Sequence, residues 1–117
     1  FPKLKIIVAH GGGYLPYYAG RTDKAYESRA ETRTNISHRP SDYLSRFFYD
    51  TVVFDRDVLA LLVKKAGDKQ VMMGTDYPRG EIEEDPIGFV KKSKTLSRKS
   101  KDRIMGLNAA KMFKVKA

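Results

Sequence analysis

Two short stretches hold side chains able to do acid, base or metal chemistry. The first is His10-Gly11-Gly12-Gly13, reached through the apolar run Ile6-Ile7-Val8-Ala9. The second is Gly74-Thr75-Asp76-Tyr77-Pro78, which follows Val71-Met72-Met73. An imidazole and a carboxylate brought together can form part of a metal site, a base with its orienting acid, or part of a nucleophile triad. Three successive glycines weaken any regular element. After a histidine they leave room for a ligand to lie against the backbone.

The other polar candidates carry less. Asp50, in Phe-Tyr-Asp-Thr, could point into a site, but the reading favoured here is a structural hydrogen bond. His38, in Ile-Ser-His-Arg-Pro, has no partner in the local sequence and reads as a surface residue. Arg21, taken alone, reads as solvated or salt-bridged. A His-Gly-Gly-Gly run also serves as an oxyanion loop in some esterases, but that chemistry needs a Gly-x-Ser-x-Gly elbow. Gly74-Thr75-Asp76-Tyr77-Pro78, the nearest match, lacks the serine and the closing glycine.

The elements that must position these residues follow from the pattern of apolar residues. Residues 4–9 (LKIIVA), 47–54 (FFYDTVVF) and 70–74 (QVMMG) read as strands, the first as a buried one, apolar almost throughout. A helical spacing runs over 15–29. Ser41 is placed to cap a short helix, SDYLSRF, and Asp55 to cap a longer one that ends with Lys64, Lys65 and Gly67. Pro86 opens a helix to about residue 94, and another covers about 100–105. Gly106 is expected to break it and Asn108 to cap a last turn. Strands alternating with helices imply an α/β fold with a parallel sheet and crossover connections. In such folds ligands bind off the carboxyl ends of the strands, so His10 and Asp76 are expected to face one pocket. Three strands leave two open edges, so the pattern reads as part of a larger α/β architecture.

Composition sets outer bounds. With 117 residues and 41% hydrophobic residues, the chain can build one modest core. It has no cysteine, which excludes disulfides and thiolate metal sites and suits a cytoplasmic location. No apolar run reaches the roughly 20 residues needed to cross a membrane. No leader pattern is visible, and the start at Phe1-Pro2 reads as cut or incomplete. The net charge of +9 is uneven: residues 61–117 carry fourteen Lys and Arg against seven Asp and Glu. Lysines outnumber arginines and no aromatic residues interleave them, so the excess reads as a solvated face rather than a nucleic-acid surface.

Five stretches in order, AHGGG, GRTDKAY, PSDYLSRFFYDTVVFD, VMMGTDYP and GLNAAKMF, resemble the amidohydrolase-related metal-dependent decarboxylases, and most nearly their aminocarboxymuconate-semialdehyde branch. The resemblance covers nearly all of the chain. It implies the C-terminal part, about three βα units, of a (β/α)8 TIM barrel of about 300 residues, inside the usual range for that fold. Residues 1–117 would then be a C-terminal fragment of a single barrel domain. The implied activity is non-oxidative decarboxylation of an unsaturated or aromatic carboxylic acid. The implied cofactor is Zn2+ or another divalent metal, with no organic cofactor. By the same resemblance Asp76 is a metal ligand, and the three histidine ligands have no counterpart here. His10 is an acid/base beside the metal-bound water, whose pKa zinc brings to about 7. Arg21 binds a substrate carboxylate in the neighbouring subunit of a homodimer, and Gly11 and Gly12 lie beside the substrate. The resemblance also admits a related hydrolase or hydratase. A further alternative is a catalytically incomplete chain that only self-associates.

Overall fold

The computed structural model describes residues 3–116. Phe1 and Pro2, where the cut start was read, and Ala117, the end of the basic tail, lie outside the described residues. Three strands, β1 (Ile7–Val8), β2 (Phe48–Asp50) and β3 (Val71–Met72), form one parallel sheet in the order β1-β2-β3. Ile7 pairs with Phe48 and Val8 with Tyr49; Tyr49 then pairs with Val71 and Asp50 with Met72. The expected α/β pattern with helical crossovers is what forms.

All three strands are shorter than their apolar runs. On the β1 side the reason is missing cover. Leu4, Ile6 and Ile7 are 63%, 42% and 43% exposed, so the expectation of a buried first strand is corrected. Among the described residues no chain pairs with its outer edge. β2 stops because the Asp50 carboxylate accepts from the Val52 amide at 3.0 Å and turns the backbone. Beyond β3, the Met73 amide donates to the Ile104 carbonyl at 2.9 Å rather than to a strand.

The first crossover contains helix α1 (Ala19–Ser28), which starts later than the expected residue 15. The intervening residues form turns, with Leu15 N–H on the Gly12 carbonyl and the Tyr14 and Tyr18 rings stacked at 5.0 Å. Pro40–Arg46 is a 3-10 segment, not an α-helix capped by Ser41. Arg39 occupies the cap position, and the Ser41 amide instead donates to Asp23 Oδ1 at 2.9 Å, tying the segment to α1.

Helix α2 (Arg56–Ala66) follows the expected pattern. Asp55 Oδ1 accepts from the amides of Asp57 and Val58 at 2.7 and 3.1 Å, and Lys64 and Lys65 stand in the last turn, where cations are favoured. Helix α3 (Pro86–Lys91) is capped by Asp85, which accepts from Gly88 N–H at 2.8 Å, and it ends short of residue 94. Helix α4 (Arg98–Asp102) is capped by Ser97 and runs through a π-helical turn, Arg103–Leu107, into α5 (Asn108–Phe113). Gly106 therefore breaks nothing and Asn108 caps nothing. The Asn108 side chain is buried, and its amide donates to the carbonyls of Asp68 and Val71, both at 2.7 Å. Tertiary partners replace the local backbone that an Asn cap would have used.

The core lies between the sheet and α2, α3 and the C-terminal helices. Tyr49, Leu59, Leu62, Val71, Val90 and Ile104 are fully buried there. Lysines of the basic half, Lys91, Lys92, Lys94 and Lys99 among them, are exposed. Among the described residues, no helix is long and apolar enough to cross a membrane.

Candidate active site

Three consecutive strand ends meet at the carboxyl edge of the sheet. The chain leaves β1 into a 3-10 turn, His10–Gly12, in which His10 itself has φ of 56°. A left-handed backbone at a non-glycine residue carries strain and is held only where its surroundings over-determine it. Asp50, the last residue of β2, supplies that hold. Its Oδ2 accepts from the His10 amide at 2.9 Å and its Oδ1 from the Gly11 amide at 2.8 Å. The structural role expected for Asp50 is thus observed.

Beyond β3 the chain reaches Asp76, also left-handed with φ of 62°. His10 Nε2 and Asp76 Oδ1 stand 3.3 Å apart. The imidazole is 61% exposed and the carboxylate 25% exposed, so the pair opens to solvent on the His10 side. The structure brings together the two residues that the sequence paired.

The glycines have a packing reason. Gly11 and Gly12 are buried. A Cβ on Gly11 would clash with Val53 Cγ1, and one on Gly12 would come within 2.7 Å of the Tyr49 ring. Their amides are also engaged, Gly11 with Asp50 and Gly12 with the Ala9 carbonyl at 3.0 Å. The Gly11 carbonyl accepts from the Tyr17 hydroxyl at 3.1 Å. Burial, and secondarily the Asp50 carboxylate, raises the Tyr17 phenol above its ordinary value, which keeps it protonated as a donor. Arg21 sits exposed on α1, and among the described residues its guanidinium makes no hydrogen bond or ion pair. His38 is exposed, with its amide on the Tyr43 hydroxyl. Sequence reasoning passed over Tyr17 and Thr51; a small polar residue next to Asp50 at the end of an aromatic strand was the available signal.

Chemically, an aspartate oxygen with an imidazole nitrogen beside it fits part of a divalent-cation donor set. It is not a whole one. Among the described residues no group of three His, Cys, Asp or Glu converges. Asp50 lies nearby, but its two oxygens are taken by three backbone amides.

Residues 1–115 match the model of the amidohydrolase family. The chain belongs to this family. It is 34% identical over 109 residues to 2-amino-3-carboxymuconate-6-semialdehyde decarboxylase of Dictyostelium discoideum, covering 92% of this chain and 30% of that protein. Among solved structures, 5-carboxyvanillate decarboxylase from Sphingomonas paucimobilis superposes with a TM-score of 0.85 at 27% identity, over 99% of this chain and 35% of that one. The 5-carboxyvanillate decarboxylase of Novosphingobium aromaticivorans, solved with manganese and 4-hydroxy-3-methoxy-5-nitrobenzoic acid, gives 0.80 at 25% identity, over 97% and 34%. This amidohydrolase chain therefore spans about a third of the length of these relatives, and its sheet and helices correspond to βα units of their TIM barrels.

Proposed function

We propose that the chain forms the C-terminal βα units of a metal-dependent, non-oxidative decarboxylase acting on an unsaturated or aromatic carboxylic acid. The observation that carries this reading is the His10 Nε2–Asp76 Oδ1 separation of 3.3 Å at the carboxyl ends of β1 and β3. Barrel enzymes place their chemistry at that edge. The relatives named above are decarboxylases, and one was solved with manganese.

Asp76 would hold a divalent cation, zinc or manganese, together with donors beyond this set. Bound there, the cation supplies Lewis acidity toward a substrate oxygen. His10 moves the proton. Its side chain is exposed enough to meet substrate, and decarboxylation needs one proton delivered to the carbon that loses CO2. The Asp50 hold on the His10 and Gly11 amides fixes the ring's base, so that delivery is aimed. Arg21, free of any partner among the described residues, would offer its guanidinium fork to a substrate carboxylate in the neighbouring subunit of a homodimer. Gly11 and Gly12, expected beside the substrate, are buried against Val53 and Tyr49 and would serve it only by shaping the turn that carries His10.

The test is CO2 release from a panel of aromatic and unsaturated carboxylates by the protein isolated from its natural source, with and without chelator. Chelator-sensitive CO2 release is expected. Turnover unchanged after complete metal removal would overturn the metal-dependent mechanism. The exposed edge of β1, with Leu4, Ile6 and Ile7, supports a second reading, a chain that self-associates through that edge without turnover. A monomer at micromolar concentration in solution would dismiss it.

A further inference from the structure

The 3.3 Å separation of His10 and Asp76 is set by neither residue's own element. His10 follows β1 and Asp76 follows β3, and neither strand touches the other. Between them lies β2, and what crosses the gap is a pair of side chains that are adjacent in sequence. Asp50 reaches one way and takes the His10 and Gly11 amides at 2.9 and 2.8 Å. Thr51 reaches the other way. Its Oγ1 accepts from the Gly74 amide at 3.1 Å, and its hydroxyl proton points to the Gly74 carbonyl, a longer contact of 3.4 Å.

Thr51 is 1% exposed, so its hydroxyl has no water to fall back on. The chain there has left the sheet. Tyr49 and Asp50 are the last β2 residues paired with β3, and Thr51 lies in the bend that follows. A threonine side chain thus does for Gly74 what a backbone ladder would have done had β2 continued. On the opposite flank Met73 N–H is held by the Ile104 carbonyl, which belongs to the π-helical turn. The segment that leads to Asp76 is therefore gripped on two sides just before the carboxylate.

We propose that Asp50 and Thr51 act together as positioning residues, each tethering one of the two flanking strand ends, so that β2 sets the distance between imidazole and carboxylate. The catalytic consequence rests on the decarboxylase reading; the geometric one does not. Misplacement of a reacting group by about 1 Å can cost on the order of a hundredfold in rate, so a tether at this point controls turnover while touching no substrate.

The experiment compares wild type, Thr51→Val, Thr51→Ser and Asp50→Asn in the intact natural protein, by crystal structure and by steady-state kinetics. Valine keeps the volume of threonine and removes the hydroxyl; serine keeps the hydroxyl. Thr51→Val is expected to open the His10–Asp76 separation beyond hydrogen-bond reach. It should lower kcat about tenfold or more, with KM within about twofold. Thr51→Ser is expected to restore both. Asp50→Asn should open the same distance from the His10 side, and it carries the test if the valine variant does not fold. An unchanged separation and unchanged kcat in both Thr51→Val and Asp50→Asn would overturn the proposal. If wild type turns over no carboxylate, while the separation still opens in Thr51→Val and closes in Thr51→Ser, the tether stands and the decarboxylase reading alone falls.

Discussion

Arg103 Nη1 stands 2.9 Å from Asp68 Oδ1 and 2.8 Å from Asp68 Oδ2, one nitrogen shared between both oxygens of a carboxylate. The Ser100 hydroxyl adds a third contact at 2.7 Å. This knot pins the C-terminal helices to the loop entering β3, and so underlies the strand that leads to Asp76. Partial burial by itself would raise the Asp68 carboxyl, but the Ser100 hydroxyl and the Arg103 guanidinium outweigh it and hold it below its ordinary value. A carboxylate depressed in the folded state contributes stability above its unfolded pKa of about 4 and loses that contribution as pH falls through the lower folded value. Asp68→Asn should cost about 2 kcal/mol at neutral pH and flatten the dependence of stability on pH below about 4. Urea midpoints measured across acid pH check both, and an unaltered acid slope would exclude Asp68 as the titrating group.

Tyr49 is fully buried in the sheet and its hydroxyl donates to the Leu44 carbonyl at 2.9 Å. Burial, with a smaller contribution from Tyr17, pushes its phenol up to about 12. An acid raised in the folded state stabilises below its unfolded pKa, about 10, and the stabilisation is lost as pH rises from there through about 12. Tyr49→Phe strands the Leu44 carbonyl and should cost about 1 to 2 kcal/mol at neutral pH. The variant should also show a shallower loss of stability above pH 10 than wild type. Alkaline denaturation followed by circular dichroism separates the two outcomes.

Gly12 has φ of 85° and its missing side chain would lie 2.7 Å from the Tyr49 ring. Gly12→Ala therefore combines backbone strain with overpacking against a core residue, and should cost about 2 to 4 kcal/mol. Were contact with substrate the whole reason for glycine here, the variant would melt like wild type and show only a raised KM. Thermal unfolding and KM measured on the same preparation tell these apart.

Much of the site was legible in the chain, and the limits have physical causes. His10 and Asp76 could be paired because each ends an apolar run, and parallel strands deliver their carboxyl ends to one edge. Asp55 was legible as a cap because its partners lie two and three residues away. Asn108 was misread as a cap because its partners, Asp68 and Val71, are supplied by the fold. Ser41 failed for the same reason, its amide being claimed by Asp23. The run at 4–9 looked buried because apolarity reports what a segment needs, not what covers it. The three glycines suggested room for a ligand, whereas Val53 and Tyr49, far along the chain, fill the space above two of them.

His10 and Asp76 should separate functionally although they touch. Asp76→Ala should lower the zinc or manganese content of the isolated protein at least tenfold, measured by atomic emission, because it removes an oxygen donor. His10→Ala should keep the metal and lower kcat by about a hundredfold or more, the usual scale for a proton-transfer group. Full metal content in Asp76→Ala would remove it from the ligand set.

Arg21 gives the sharpest test of a contact between subunits. The guanidinium is exposed on α1 and makes no ion pair among the described residues, so removing it costs the fold little. If it binds a substrate carboxylate, Arg21→Ala should raise KM about tenfold or more with kcat nearly unchanged. Arg21→Lys should recover only part of this, because an ammonium lacks the planar fork that matches two carboxylate oxygens. If it does so from the neighbouring subunit, mixing Arg21→Ala, weakened at low substrate, with His10→Ala, low in kcat, should give more activity than the two variants measured separately and summed. A mixed dimer holds one site with both residues intact and one with neither. Substrate at a concentration far below the variant KM makes that recovery readable against a low background. No recovery on mixing, with exchange of subunits shown by mass spectrometry, would return Arg21 to its own subunit's surface.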